Sequence, residues 1–298
     1  MKIHITGGDG YIGRNIFNSL RNKHEISTTD IQSLDILNKD LLVKYLKEDT
    51  PEILIHLAGL MGAKQSKSEL YKTFSVNSFG LLNVIEATYL AGVKNLIFFS
   101  SLTVHGAHHD RNKIVNEEDN FLPAHPYATS KVIAEYLLRD YSRLLNINAV
   151  ILRPTIIVGN LNGEENALNE FTKNAFNDEP IFIYGDGKHV REYLSINDLI
   201  NATNYSIKFL VKNGDKNICE TFIISSGEPI SMTDLALRCV KIVGRGSVEH
   251  IDKNTQAFSL LSNIEKAKRQ LQWEPKDDVD TMIKYTLNML KTETNDHK

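Results

Sequence analysis

The stretch Lys2-Ile3-His4-Ile5-Thr6-Gly7-Gly8-Asp9-Gly10-Tyr11-Ile12-Gly13 decides the fold. Its first five residues form a short β-rich run, and Gly7, Gly10 and Gly13, spaced three apart, lead directly into a helical pattern. Glycines there permit a tight turn and the close approach of a pyrophosphate, whose charge is favoured by the free N–H groups at a helix N-terminus. A strand before and a helix after distinguish this turn from an ordinary glycine-rich loop. The expected ligands of the turn are Gly7, Gly10, Tyr11, Ile12 and Gly13.

Asp30 closes the next β-rich run, about twenty residues beyond the middle of the loop, where a carboxylate can accept hydrogen bonds from the adenosine ribose. It also repels a 2′-phosphate, and its neighbours Ile31, Gln32 and Ser33 bring no basic group. NAD is therefore expected rather than NADP.

Further along, KIHIT (2–6), EISTT (25–29), EILIHLA (52–58), NLIFFSS (95–101) and NAVILRP (148–154) alternate with longer helical patterns. Asn38 can cap KDLLVKYLKED, and Gly92 closes the run containing LLNVIEATYLA. Such alternation predicts an α/β fold: a Rossmann-type doubly wound parallel sheet with helices on both faces. After Gly159 the polar stretch NLNGEENALNE gives way to isolated strands and helices, among them ETFIISS (220–226) and SMTDLALRCVKIV (231–243). The expected division is a nucleotide-binding domain over 1–158, with segments near 191–226 returning to it, and a smaller C-terminal α/β substrate lobe over most of 159–298.

A chain of 298 residues buries a substantial core without disulfides or metal staples. A net charge of −3 gives no electrostatic reason to expect nucleic acid or an anionic membrane as partner. Cys219 and Cys239 lack metal-ligand spacing, and no apolar stretch is long enough to cross a bilayer, which together point to the cytoplasm. His105, His108 and His109 in VHGAHHDRNK lie in a polar loop with no carboxylate or cysteine at supporting spacing, so no metal is expected.

The chemistry-bearing residues lie in YATSK, where Tyr127 and Lys131 follow Pro126 at the start of a helical pattern. Spacing of four places phenol and ammonium on one helix face. A phenol with an ordinary pKa near 10 must be brought towards neutrality to act as a base, and three units correspond to about 4 kcal/mol of preferential phenolate stabilisation. Lysine and a positive nicotinamide can supply it. Tyr184 and Lys188 in YGDGK repeat the interval, but two intervening glycines argue for a loop. The run NLIFF ends in Ser100-Ser101-Leu102-Thr103, placing hydroxyls at the carboxyl edge of the sheet, where open α/β folds bind ligands. Ser101, helped by Thr103, is expected to steady charge on the reacting oxygen.

Taken together, TGGDGYIG, Asp30, HLAG (56–59), Asn77 in SVNSFG, FSSLTVHG (99–106), PYATSK (126–131) and GDGKHVREYL (185–194) resemble the NAD-dependent epimerase/dehydratase family, and within it the UDP-glucose 4-epimerases. The resemblance spans nearly the whole chain, including SSGEPISMTDLA (225–236) and SNIEKAKRQLQWEPK (262–276). It implies that Asp35 and Ile36 lie by the adenine, and that Leu57, Ala58, Gly59, Asn77 and Ser100 line the cofactor. It further implies that Tyr127, Lys131 and Ser101 lie at the chemistry, Tyr127 and Lys131 also touching the cofactor, Ser101 and Tyr127 the substrate, and that Arg191 grips the substrate diphosphate. It implies a nucleotide-sugar substrate and a homodimer built from the Tyr127 helix and the long helix before the fourth strand.

Departures accompany the likeness. His105 stands where these epimerases usually have tyrosine, Met61 where they have lysine and Ile156 where they have asparagine. VEHIDKNTQAF (248–258) lacks their Arg-Pro-Gly-Asp run. Val104 and His105 occupy the place where 4,6-dehydratases and decarboxylases carry an acid, which leaves oxidation and reduction at a hydroxyl-bearing carbon. The expected activity is epimerisation through a transient 4-ketosugar, with NAD regenerated. The alternatives are a net sugar-nucleotide ketoreductase or dehydrogenase and, more remotely, a non-catalytic NAD-binding regulator.

Overall fold

The computed structural model describes residues 1–62, 68–106, 113–159, 166–214, 216–252 and 259–296. Strand β1 (Lys2–Thr6) leads into helix α1 (Tyr11–Leu20), followed by β2 (Glu25–Thr29), α2 (Lys39–Asp49) and β3 (Ile53–His56). A long helix, α3, passes from Leu70–Phe74 through a π-helical turn at Ser75–Phe79 into Gly80–Leu90. Then come β4 (Asn95–Phe99), α4 (Pro126–Leu145), β5 (Asn148–Pro154) and, after a long excursion, β6 (Cys219–Ile224).

These six strands form one parallel sheet in the order β6-β5-β4-β3-β1-β2. Every residue of β3 and β5 is buried, because a parallel sheet covered by helices on both faces has no wet side. Ile3, Ile5, Ile55 and Leu152 pack on one face with Ile16 of α1 and Leu199 of the helix Ile196–Lys212. Leu54, Leu96 and Phe98 pack on the other with Leu42, Leu81 and Leu138 from α2, α3 and α4. Each such side chain contributes about 1.5–3 kcal/mol on burial. The Asn38 cap, whose side chain accepts the Leu41 amide at 3.1 Å, contributes about 1 kcal/mol. Packing on the sheet therefore outweighs local propensity, and it fixes where the strand ends lie.

Strand order reverses between β1 and β3, so the crevice outside their carboxyl ends is the place for a ligand. The run 220–226 overlaps β6, which pairs with β5 from Cys219↔Ala149 to Ile224↔Pro154. A separate cluster joins Phe171, Ile183, Tyr193, Leu235 and Met282. It draws on the helices Ala167–Phe176, Met232–Val243 and Val279–Asp296 and on the parallel pair Pro180–Tyr184 and Ser247–Ile251. The closing segment is pinned to the main sheet's cover: buried Trp273 donates Nε1–H to the Asp198 carbonyl at 3.1 Å, and the Asp198 carboxylate accepts the Lys276 and Asp277 amides.

Burial holds three histidines neutral: His4 and His105 at about 4 and His56 at about 3. Their folded values lie below the unfolded value, so the unfolded chain binds more protons as pH falls through 6.5, and stability is lost between there and about pH 4. At pH 5 each histidine accounts for a loss of about 2 kcal/mol. Urea denaturation midpoints at pH 7.5 and pH 5 test this; coincident midpoints would contradict it.

Candidate active site

Gly7 has φ +76° and donates its amide to Thr29 O at 2.8 Å. A Cβ there would lie 2.6 Å from Ala58 N, and one on Gly13 would lie 2.3 Å from Gly7 O. Both glycines are therefore required by backbone-on-backbone packing. Gly10 differs. It precedes the first residue of α1, and a Cβ on it would meet only Gly7 O, at 3.3 Å, so its outer side is open. The first turn of α1 carries no acidic side chain, and its amides have no partners within the helix, which favours an anion.

Asp30 folds back on this turn, accepting the Asp9 amide at 3.1 Å and the Ile31 amide at 2.8 Å. Asp35 caps the following bend through the Leu37 amide, whereas the Ile36 side chain is buried in the core, where a Cβ on Gly80 would strike it. Leu57 donates its amide to Thr6 O, which brings Leu57, Ala58 and Gly59 beside the glycine turn. Ile12 packs on the sheet core. The Tyr11 hydroxyl, pushed up to about 12 by burial, reaches Gly159, where a Cβ would stand 2.5 Å from it.

The second half of the site is set by α4, with His125 capping the Ala128 amide and Pro126 in its first turn. Lys131 is buried and donates Nζ–H to Phe99 O at 2.8 Å; its Nζ sits 4.8 Å from the Phe98 ring centroid and 5.9 Å from that of Tyr127. Burial pulls this ammonium down to about 8, and the Glu135 carboxylate one turn further along opposes that fall. Asn77, within the π-helical turn, donates to Leu60 O and Ser130 Oγ and accepts the Leu60 amide. A Cβ on Gly59 would lie 3.0 Å from Asn77 Oδ1 and 3.7 Å from Lys131 Nζ. The glycine turn thus abuts Ala58, Gly59 beside it lies near Asn77 and Lys131, and the Tyr127 ring lies beyond Lys131.

At the end of β4 the two serines diverge. Ser101 caps a 3-10 turn, Leu102–His105, and accepts from Thr103 through both the amide at 3.3 Å and the hydroxyl at 2.9 Å. Ser100 instead donates its hydroxyl inward to Glu135 Oε1 at 2.6 Å. Arg191 stands elsewhere, on the short strand Val190–Arg191 paired with Ile230–Ser231, its guanidinium lowered by burial.

The expected departures fall in different settings. His105 is fully buried and accepts from Arg153 Nη1 at 2.9 Å, so this change is absorbed in the core. Met61 is half exposed after β3, and Ile156 packs beside the second cluster. His108, His109 and residues 253–258 lie outside the described residues. Tyr184 and Lys188 flank Gly185 at φ +75° and Gly187 at φ +63°, a loop and not a helix. Sequence reasoning missed Glu135 and Arg153. A lone arginine inside the apolar run NAVILRP was the available signal, since a buried charge requires a partner.

The model of the NAD-dependent epimerase/dehydratase family matches residues 3–219. A putative UDP-glucose 4-epimerase of Methanocaldococcus jannaschii is 26% identical, the match covering 97% of this chain and 98% of that protein. The crystal structure of the Thermotoga maritima UDP-glucose 4-epimerase with UDP-glucose superimposes at a TM-score of 0.84, with 24% identity over 99% of this chain and 100% of that one. The Stenotrophomonas maltophila UDP-glucose 4-epimerase, with bound NAD and formylated UDP-arabinopyranose, gives 0.88 at 21% identity over 99% of each chain. The glycine turn at the sheet's switch point and the match over most of its length agree: the chain belongs to the NAD-dependent epimerase/dehydratase family, enzymes whose cofactor is NAD.

Proposed function

We propose that this protein is an epimerase of nucleotide sugars that oxidises and re-reduces one ring carbon through a transient 4-ketosugar. The observation that carries the reading is buried Lys131, whose Nζ lies 5.9 Å from the Tyr127 ring centroid and donates to Phe99 O at the end of β4, just before the Ser101–Thr103 hydroxyl pair. The UDP-glucose 4-epimerases among its relatives suggest UDP-hexoses as the first substrates to test.

The residues present suit NAD. Gly10 leaves room at unpaired helix amides, and Asp30 offers a carboxylate with no basic neighbour to receive a 2′-phosphate. The chemistry that NAD supplies when bound is the reversible two-electron oxidation of a hydroxyl-bearing carbon. Gly7, Gly10, Tyr11, Ile12, Gly13, Asp30, Asp35, the Ile36 backbone, Leu57, Ala58, Gly59, Asn77 and Lys131 are assigned to holding it. Ser100 is assigned to supporting that edge through Glu135. Tyr127 takes the hydroxyl proton and later returns it, while the Lys131 charge favours its phenolate. Ser101 and Thr103 hold the reacting oxygen, and Arg191 is assigned to the diphosphate.

Residues 1–158 and the returning segment through β6 are assigned to the cofactor, and most of 159–298 to the substrate. No helix among the described residues is long and apolar enough to cross a membrane, and Cys219 and Cys239 are free thiols, in keeping with the cytoplasm. Exposed Tyr71 and Phe79 on α3 and Ile133, Tyr136 and Leu144 on α4 line the outer side of two helices that pack together. We assign this surface to a two-fold homodimer.

Proton NMR with UDP-hexoses and no added cofactor is expected to show a C4 epimer, with Tyr127→Phe at least about 100-fold slower yet still binding NADH. Stoichiometric consumption of NADH would instead identify a reductase. Gly13→Ala is expected to destabilise the fold, whereas Gly10→Ala keeps its Tm and loses at least about tenfold in NADH affinity; equal Tm losses in both would refute the distinction. Light scattering at micromolar concentration should give a dimer for the wild type and a monomer for Phe79→Glu.

A further inference from the structure

The buried carboxylate of Glu135 binds neither the glycine turn nor the Ser101–Thr103 pair, yet it touches what holds them. It lies one turn beyond Lys131 and two beyond Tyr127 on α4, with no exposed surface. Its Oε1 accepts from Ser100 Oγ at 2.6 Å and Arg153 Nε at 2.9 Å, and its Oε2 accepts from Arg153 Nη2 at 2.6 Å. Arg139 Nη2 approaches Oε2 at 3.5 Å and donates to Thr221 Oγ1 on β6 at 2.6 Å. Arg153, on β5, directs Nη1 to Glu117 O at 2.8 Å and to His105 Nε2 at 2.9 Å.

Ser100 immediately precedes Ser101, the cap of the 3-10 turn, and His105 is the last residue of that turn. The network therefore grips that turn at both ends, while Lys131 holds Phe99 O from one helical turn earlier. Replacing a buried ion pair by apolar side chains is often neutral or stabilising, so stability alone gives no reason for two charges here. Geometric definition does.

Resting on the epimerase reading above, we propose that Glu135 and Arg153 are positioning residues forming a clamp that keeps the Ser101–Thr103 hydroxyls in register with Tyr127. Neither touches the substrate. Loosening the clamp leaves binding intact and lowers turnover, because a displacement of about 1 Å can slow a reaction by about 100-fold.

Ser100→Ala removes one tie and leaves the ion pair in place; Glu135→Gln keeps the shape and removes the charge. Both are expected to lower kcat by at least about tenfold, with KM and NADH affinity within about twofold of wild type. Amide exchange across 100–106, read by mass spectrometry, should accelerate by at least about tenfold while that of β1 stays unchanged. Should Glu135→Gln fail to fold, Ser100→Ala carries the test. Unchanged exchange across 100–106 overturns the clamp, as does faster exchange with normal kcat. If the wild type turned over no nucleotide sugar, the epimerase reading would fail, and exchange in Ser100→Ala alone would decide for or against the clamp.

Discussion

At Gly7 the first turn of the chain presses against the backbone of Ala58, closer than any side chain would permit. This approach brings the end of β1 against the segment after β3, the two strands between which the sheet reverses its order. We assign the cofactor to the crevice outside their carboxyl ends. The first-turn amides of α1 lack partners within the helix, and Gly59, next to Ala58, lies against Asn77 and near Lys131. Because the contact is backbone on backbone, it leaves little room for adjustment, and the strand ends inherit its position.

The opposite wall is organised by charge. Lys131 is buried deeply enough to lose part of its affinity for a proton, and the glutamate one turn on restores some of it. That glutamate is balanced by Arg153, whose remaining nitrogen reaches His105. Helix α4 thus carries a phenol, an ammonium and a carboxylate on successive turns, the ammonium bonded to Phe99 O and the carboxylate to Ser100. Two hydroxyls that are adjacent in sequence separate accordingly, Ser100 inward to Glu135 and Ser101 to the amide and hydroxyl of Thr103.

The sheet was legible because its strands are short apolar runs and its helices carry readable ends. Asn38 caps where its side chain says it should, and EISTT occupies β2 without a residue to spare. The glycine turn was legible because its spacing has one mechanical use. What sequence could not place depended on long-range pairing. Ser100 and Ser101 carry the same side chain, and the partner that marks Ser100 as the inward one, Glu135, comes from another element. The buried setting of His105 likewise depends on Arg153, and that of Ile36 on Gly80. The π-helical turn around Asn77 has no local sequence signature, since Ser75–Phe79 reads as one run with the helix on either side of it.

The sixth strand is made late. β5 gains its outer neighbour only from Cys219–Ile224, after the chain has passed through the helix Ala167–Phe176 and several short strands. During synthesis, the nucleotide-binding sheet therefore waits, with one flank of β5 unpaired, until much of the other lobe has left the ribosome. An unpaired parallel edge is a template for pairing with other chains, and pairing over so long a separation is slow. The same threading that returns a late strand to the six-stranded sheet makes the newborn chain dependent on finishing both parts before either is safe from aggregation.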